Sequence, residues 1–189
     1  MKIVAINGSN RGRNGYTQFL IDKIFEGALH ANALCETIVL SEKKIKPCIG
    51  CHVCQTSGSY LKCVYDGNDD VGDLFEEIRT ADFLIYATPI FIFNMSGLMK
   101  IFLERMFSTA DSSIRRVSKS GYFFHHIDTT LFSKPFLLLT CQDNMEDATN
   151  QRVVDYFKTY SAFLDAPMLG AITLRCGLLT GYGKDADKE

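Results

Sequence analysis

The fold of this chain is decided near its N-terminus by the stretch Lys2-Ile3-Val4-Ala5-Ile6-Asn7-Gly8-Ser9-Asn10-Arg11-Gly12-Arg13-Asn14-Gly15-Tyr16-Thr17. Its apolar start, Lys2 to Asn7, predicts a strand that ends in a turn at Gly8-Ser9. From Tyr16 to Asn32 apolar residues recur at helical spacing, which predicts a helix. A strand, a polar loop and a helix in this order begin a parallel α/β unit.

The rest of the chain repeats this alternation. Further strands are predicted over Leu34–Leu40, over Asp82–Thr88 with a stop at Pro89, over Lys134–Thr140, and over about Met168–Leu174. Further helices are predicted from the capping pair Asp69-Asp70 to about Thr80, over Ser96–Phe107 and over Gln151–Leu164. Right-handed crossovers between parallel strands then predict a doubly wound α/β sheet of five parallel strands with helices on both faces, in a single domain over residues 1–189.

Composition restricts the expected partners and location. The chain has 189 residues and a formal net charge of −2, which gives no field that would attract nucleic acid or an anionic membrane. No segment approaches the length of a membrane span, and the apolar run after Met1-Lys2 is too short for a secretory signal. Seven cysteines without a targeting signal indicate the cytoplasm, where thiols stay reduced. We therefore expect a cytoplasmic protein that binds neither nucleic acid nor membrane.

The predicted topology also predicts where a ligand binds. In doubly wound sheets the ligand lies beyond the carboxyl ends of the strands, where the strand order reverses. This rule selects three segments, named here the first loop (Gly8–Thr17), the second loop (Pro89–Gly97) and the third loop (Thr140–Met145).

The first loop has the composition of a phosphate site. Backbone N–H groups at a helix N-terminus favour an anion, Ser9 and Thr17 add hydroxyl donors, and Arg11 adds a charged fork. The motifs of nucleotide-triphosphate loops and of dinucleotide folds are both absent, which leaves a terminal phosphomonoester on a compact cofactor. The alternative is an ordinary strand–helix turn with an N-cap.

The second loop is apolar and aromatic. The segment from Pro89 to Met95 suits a flat heteroaromatic ring better than a charged substrate, and its backbone amides can bond the edge of such a ring. The alternative is a run of Ile and Phe buried in the core.

Four cysteines form a separate candidate site. The spacing of Cys48, Cys51 and Cys54 is the one that ferredoxins use for an iron–sulfur cluster, and Cys63 would complete the set if the Gln55–Lys62 loop folds back. Zinc sites more often use separated pairs or add histidines. Reduced, unliganded thiols near a redox cofactor are the simpler interpretation.

Two other features stay open at this level. Cys35, Cys141 and Cys176 are interpreted as small core residues, although Cys141 falls on the third loop. The connection Ser108–Lys134 is unusually long and is interpreted as a lid or an oligomer contact, with a packed surface loop as the alternative.

These motifs together resemble a known family. The sequence is similar to the flavodoxin-like NAD(P)H-dependent FMN reductases, especially their iron–sulfur flavoprotein branch. Three segments carry the resemblance: Ile6 to Arg11 with Gly15-Tyr16-Thr17, Pro47 to Cys54 with Cys63 and Asp69-Asp70, and Thr88 to Lys100 with Glu104-Arg105. The sequence departs from the family at Phe91, where Tyr is usual, in the longer gap before Cys63, and in the Gly-rich, charged segment Thr180–Glu189, where relatives have another helix.

The resemblance implies the details of fold and site. It implies the strand order 2-1-3-4-5 and FMN as the cofactor, with a homodimer or homotetramer in which a neighbour helps cover the flavin. The residues that it implies for FMN are Ser9, Arg11, Gly15, Tyr16 and Thr17 at the phosphate and Pro89, Ile90, Phe91, Phe93, Asn94 and Met95 at the ring. No catalytic acid or base is implied.

Three functions are compatible with this sequence. The first is an FMN-dependent oxidoreductase that takes electrons from NAD(P)H to a small acceptor such as a quinone, a nitro or azo compound, or free flavin. The second is an electron carrier with FMN and a [4Fe-4S] cluster at Cys48, Cys51, Cys54 and Cys63, working with a ferredoxin-like partner. The third is a non-enzymatic, zinc-stapled binding module.

Overall fold

The computed structural model describes residues 1–55 and 62–177. In chain order the strands are β1 (Lys2–Asn7), β2 (Leu34–Val39), β3 (Phe83–Phe91), β4 (Asn94–Met95), β5 (Ala110–Val117), β6 (Phe123–Ile127), β7 (Phe136–Cys141) and β8 (Met168–Leu174). The α-helices are α1 (Tyr16–His30), α2 (Val71–Arg79), α3 (Gly97–Arg105), α4 (Thr129–Phe132) and α5 (Gln151–Leu164). The predicted segment Thr180–Glu189 lies outside the described residues.

The main sheet has the predicted doubly wound topology. Its strands run in the order β2-β1-β3-β7-β8, and every neighbouring pair along this path is parallel. Counting only these five strands, this is the predicted order 2-1-3-4-5, so both the α/β fold class and the order are confirmed.

Alternating side chains of the strands build a core on each face of the sheet. On one face, Ile6, Leu84 and Tyr86 pack with apolar residues of α2, α3 and α5. On the other face, Ile3 and Ile85 pack in the cluster that contains Ile21 of α1. Because strands buried on both faces need apolar residues at every position, the strand sequences are nearly continuous apolar runs.

The third strand is longer than predicted. We expected it to stop at Pro89, but β3 continues to Phe91. Strand β1 ends at Asn7 opposite Ala87, so Pro89 has a strand partner only on the β7 side, at Cys141. The missing proline N–H therefore interrupts no ladder with β1, and the strand carries the chain beyond the edge of the sheet.

Only Asp69 of the predicted capping pair bonds to the start of α2: its Oδ1 accepts from the Val71 N–H at 3.3 Å. The helix begins at Val71, but Asp70, its N-cap residue, makes no side-chain capping bond. Its Oδ2 instead accepts from the Lys44 backbone N–H at 2.7 Å, and Asp69 Oδ2 accepts from the Lys46 N–H at 3.2 Å. The two carboxylates therefore hold the segment that leads into the cysteines, because backbone donors there compete with the helix terminus.

The long connection after α3 is an ordered hairpin rather than a loop. Strands β5 and β6 pair antiparallel, and α4 follows them. Leu131 and Phe132 of α4 are each 1% exposed, so burial of α4 fixes the connection to the domain. Its predicted role as a lid or oligomer contact stays a prediction. Among the described helices, none combines the length and the apolar composition that a membrane crossing requires.

Candidate functional site

The first and second loops meet at the carboxyl end of β1. Ser96 Oγ donates to the Gly8 carbonyl at 2.6 Å, and the Gly8 N–H donates to the Ala87 carbonyl at 2.8 Å. A Cβ on Gly8 would lie 2.9 Å from Cβ of Met99. Only glycine at position 8 leaves room for Met99, so the end of β1 and the start of α3 are in direct contact.

Asn7 organises the first loop, and sequence reasoning missed it. The side chain is fully buried; its Oδ1 accepts from the Ser9 N–H at 2.9 Å and its Nδ2 donates to Gln18 Oε1 at 2.9 Å. Ser9 Oγ in turn accepts from the Arg11 N–H at 3.2 Å. A polar residue at the end of an apolar strand, directly before glycine, was the available signal.

The N-terminus of α1 has the features of an anion site. Gly15 is its N-cap residue, no side chain caps it, and its first turn contains no acidic residue. Within the described part of the chain Arg11 forms no ion pair and lies 5.9 Å from the ring centre of Tyr16, whereas Arg13 is paired with Glu42 at 3.0 Å. The positive end of the helix dipole and an uncompensated guanidinium therefore lie together.

The first loop closes tightly around Gly15. A Cβ at this position would lie 2.8 Å from Ser9 Oγ and 3.1 Å from Cβ of Arg11. Ser9 and Thr17 are both almost fully buried, at 5% and 2% exposure. The turn thus forms a compact cradle of hydroxyl and backbone groups that a larger residue at position 15 would fill.

The second loop forms an exposed apolar tip. Strands β3 and β4 pair antiparallel around Ile92-Phe93, and both residues have left-handed backbone, with φ of 48° and 62°. Phe91, Ile92 and Phe93 are 63%, 81% and 58% exposed. The alternative of a buried core run is therefore wrong for these three residues, which form an apolar surface that a flat ring can contact.

The remaining second-loop residues differ in burial. Pro89 and Ile90 are half-buried, Asn94 is exposed, and Met95 belongs to the core. The Met95 N–H donates to Asn94 Oδ1 at 2.8 Å, so this amide already has a partner inside the protein. The Met95 amide, one of the predicted donors to the ring edge, would have to give up its bond to Asn94 in order to donate to a ligand.

The third loop meets the first through Gly177. A Cβ on Gly177 would lie 3.1 Å from Cys141 Sγ, 3.3 Å from Asp143 Oδ1 and 3.3 Å from Cδ2 of Tyr16. Burial, with a smaller contribution from the Asp143 charge, raises the pKa of Cys141 to about 11. Cys141 is therefore a neutral thiol near pH 7, which agrees with its interpretation as a core residue.

The four predicted metal ligands line one small cavity, named here the cysteine pocket. Its volume is about 20 Å³, which holds about one water, and its walls include Cys48, Cys51, Cys54 and Cys63. Burial raises the pKa of Cys54. Over residues 1–55 and 62–177, no three His, Cys, Asp or Glu side chains converge closely enough to hold a metal ion. The thiol donors suit a metal–thiolate centre, but the structure does not bring them to a common point.

Arg105, in the last turn of α3, lines the same pocket. Its side chain is 1% exposed and pairs with the fully buried carboxylate of Asp69. Burial alone would lower the pKa of Arg105, but the hydrogen bond to Asp69 and the nearby Cys63 thiol raise it overall. Sequence reasoning gave Arg105 no role, because nothing local distinguishes it from a surface arginine.

A second, larger cavity lies away from the three loops. It measures about 860 Å³ and is lined mainly by apolar and aromatic side chains of α3, α5 and the β5–β6 hairpin, among them Phe107, Phe123, Tyr156, Tyr160 and Phe163. Cys48 and His52 line both this cavity and the cysteine pocket. The sequence did not predict this cavity, although Tyr156, Tyr160 and Phe163 have helical spacing.

The fold and the loops define the class of this protein as a flavodoxin-like α/β protein with an anion-type first loop. Comparison with known proteins gives the family: the sequence profile of the NADPH-dependent FMN reductases matches residues 1–162, and the chain belongs to this family. The family that the sequence resembles is therefore confirmed.

Individual relatives match different shares of the chain. An iron–sulfur flavoprotein of Archaeoglobus fulgidus is 34% identical over 105 residues, which cover 56% of this chain and 48% of that protein. An iron–sulfur flavoprotein of Methanocaldococcus jannaschii is 30% identical over 105 residues, covering 56% and 51%. The chain thus spans about half the length of these archaeal relatives.

Solved structures share the fold. An FMN-dependent NADH-azoreductase from Bacillus anthracis, in complex with FMN, superposes with a TM-score of 0.64 at 11% identity, covering 97% of this chain and 94% of that one. At this identity the likeness concerns the fold alone.

Proposed function

We propose that this protein is an FMN-dependent oxidoreductase that oxidises NAD(P)H and reduces a small acceptor. The observation that carries the proposal is the first loop, where the uncapped N-terminus of α1 lies beside the Gly15 cradle and the unpaired charge of Arg11. Membership of the FMN reductase family supports it.

The residues of the first loop are proposed to hold the FMN phosphate. Arg11 supplies a charged fork, while the hydroxyls of Ser9 and Thr17 and the backbone at Gly15 and Tyr16 supply hydrogen bonds. The negative charge of the phosphate is stabilised there because the positive end of the helix dipole and the positive guanidinium both attract it.

The second loop is proposed to orient the ring. Pro89 to Met95 would offer an apolar face, with exposed Phe91 and Phe93 at the tip. FMN held by these loops would supply the hydride and electron transfer between the nicotinamide and the acceptor. The chain's own part is to bind, orient and shield, since no side chain is assigned as an acid or base. Acceptors of the proposed class are quinones, nitro or azo compounds, and free flavin.

The phosphate assignment is tested by replacing the two hydroxyls. Ser9→Ala with Thr17→Ala removes donors to a charged group, so we expect FMN affinity, measured by quenching of flavin fluorescence, to fall at least about tenfold. Ser113→Ala with Thr159→Ala removes two exposed hydroxyls elsewhere and is expected to leave the affinity unchanged. Equal FMN affinity in the first variant and the wild type would refute the phosphate site.

The activity is tested by adding NADH or NADPH to the FMN-loaded protein without air. Bleaching of the flavin absorption by either nucleotide is expected. A wild-type protein that does not bind FMN would overturn the proposal, and bound flavin that neither nucleotide reduces would favour the second candidate.

The second candidate is an iron–sulfur flavoprotein that passes electrons to a ferredoxin-like carrier. It is favoured by the cysteine pocket, which is lined by four cysteines and the buried side chain of Arg105, and by relatives named iron–sulfur flavoproteins. Iron and zinc analysis of protein purified without air separates this candidate from a zinc-stapled module. A homodimer or homotetramer is proposed for each candidate enzyme, and light scattering on the FMN-loaded protein tests it.

A further inference from the structure

Three side chains form a continuous chain of hydrogen bonds that ends at the first loop. Asp22 Oδ1 accepts from Gln18 Nε2 at 2.7 Å, and Gln18 Oε1 accepts from Asn7 Nδ2 at 2.9 Å. Asn7 Oδ1 then accepts from the Ser9 N–H at 2.9 Å. Asn7 is fully buried and Gln18 is 7% exposed, whereas Asp22 lies at the surface, so the Asp22 end of this chain is the one that meets water.

The two ends of the chain fix the direction of both amides. A carboxylate can only accept hydrogen bonds, so the NH2 group of Gln18 must face Asp22 and its oxygen must face Asn7. A backbone N–H can only donate, so the oxygen of Asn7 must face Ser9 and its NH2 group must face Gln18. The two conditions agree, and the NH2 group of Asn7 also lies 3.4 Å from the carbonyl of Gly12.

This chain connects the two halves of the phosphate cradle. Asn7 ends β1 and bonds to the backbone at Ser9 and Gly12, while Gln18 lies in the first turn of α1. Gly15 lies between these halves, where a Cβ would be 2.8 Å from Ser9 Oγ. The bond between Asn7 and Gln18 therefore sets the position of the helix N-terminus relative to Ser9.

Packing alone does not explain an amide at position 18. Ile21, one turn further along α1, is fully buried and packs in the apolar core on this face of the sheet. An apolar side chain of similar length would fill the place of Gln18 without the cost of burying an amide. The amide is instead matched to Asn7, whose other partners are backbone groups of the first loop.

We propose that Gln18 is a positioning residue for the bound phosphate and that Asp22 fixes the orientation of its amide. Gln18 acts through Asn7, which holds Ser9, and is not itself a ligand. Without the amide, Asn7 Nδ2 keeps only its longer contact to Gly12, so the loop and the helix N-terminus no longer converge on one anion. The inference rests on the proposed function, in which the first loop holds the FMN phosphate.

The test compares FMN with riboflavin, which has the same ring system but no phosphate. The ratio of their dissociation constants reports the contribution of the phosphate, whereas a general loss of stability would weaken both ligands alike. The test variant is Gln18→Met, which removes the amide and keeps the length of the side chain. The matched control is Gln151→Met, because Gln151 bonds to Asp155 at 2.8 Å with the same four-residue spacing in the first turn of α5, outside the three loops.

We expect Gln18→Met to bind FMN at least about fivefold more weakly than the wild type, and riboflavin within about twofold of it. Gln151→Met should change neither affinity. Asp22→Ala, measured in about 0.5 M NaCl to screen the loss of a surface charge, should move the ratio in the same direction by a smaller factor, since water can replace the carboxylate. Far-ultraviolet circular dichroism verifies the fold, and Asp22→Ala serves if Gln18→Met does not fold.

The outcomes distinguish this inference from the proposed function. If Gln18→Met has the wild-type ratio of FMN to riboflavin affinity, Gln18 only packs and the inference is overturned. An unchanged ratio in Asp22→Ala would overturn the part assigned to Asp22. Equal affinity of the wild type for FMN and riboflavin would instead refute the phosphate site itself.

Discussion

At the scale of single residues, the tip of the second loop is under backbone strain. Ile92 is β-branched and has φ of 48°, a left-handed conformation that costs non-glycine residues about 1–2 kcal/mol. The side chain is also 81% exposed, so no burial offsets this cost. Such strain recurs at ligand sites, which fits the proposal that the tip contacts the ring.

The strain is tested by Ile92→Asn. Asparagine tolerates left-handed backbone, so we expect the free energy of unfolding from urea denaturation to rise by about 0.5–1.5 kcal/mol. We also expect weaker FMN binding, because apolar contact area is lost. Ile114→Asn, at an exposed strand position without positive φ, is the control and should give no gain in stability. A loss of stability in Ile92→Asn would contradict the strain argument.

At the scale of elements, Ser96 connects three of them. Its Oγ accepts from the Met99 N–H at 3.1 Å as the N-cap of α3 and donates to the Gly8 carbonyl at 2.6 Å. Its own N–H donates to Thr88 Oγ1 at 3.0 Å. The side chain is fully buried, so water cannot replace these bonds. One serine thereby fixes the second loop and α3 against the first loop.

Ser96→Ala is therefore expected to destabilise the protein and weaken FMN binding together. Loss of the cap and of the bond to a buried carbonyl should lower the free energy of unfolding by about 1–3 kcal/mol. Ser113→Ala removes an exposed serine whose bonds go to Asp111 and should change stability by less than about 0.5 kcal/mol. If both variants melt at the same temperature as the wild type, Ser96 does not fix the loops.

At the scale of the whole molecule, buried acidic protons limit stability in alkali. Tyr86 and Tyr160 share a hydrogen bond of 2.6 Å in the core, and burial raises the pKa of both. Burial likewise raises the pKa of Cys141 to about 11. A group whose pKa is higher in the folded than in the unfolded state contributes to folding stability at pH values below its unfolded pKa, which is roughly 8.5 for a thiol. This contribution is lost as the pH rises through the folded-state pKa.

The melting temperature should therefore fall as pH is raised from about 8.5 to 11. Cys141→Ala removes one of the responsible groups, so its melting temperature, measured by circular dichroism, should fall less steeply over this window. Cys176→Ala retains Cys141 and should follow the wild-type slope. Parallel curves for all three proteins would show that Cys141 titrates as it does in the unfolded chain.

The sequence by itself determined the fold and two of the candidate ligand segments. Apolar runs and helical spacing are local signals, so the α/β alternation and the first and second loops could be predicted directly. Chain-local reasoning failed where neighbours decide the outcome. The strand passes through Pro89 because β1 has already ended. The carboxylates of Asp69 and Asp70 also bond to a distant backbone segment, at Lys46 and Lys44.

Only the tertiary structure decided which distant residues meet. Asp69 and Arg105 are 36 positions apart, and Ser96 is 88 positions from the carbonyl of Gly8 that it contacts. No periodicity or spacing encodes such pairs, because burial and the direction of a side chain follow from packing of whole elements. The cysteine spacing pointed to a metal site, but the buried guanidinium that gives this pocket its charge became visible only after folding.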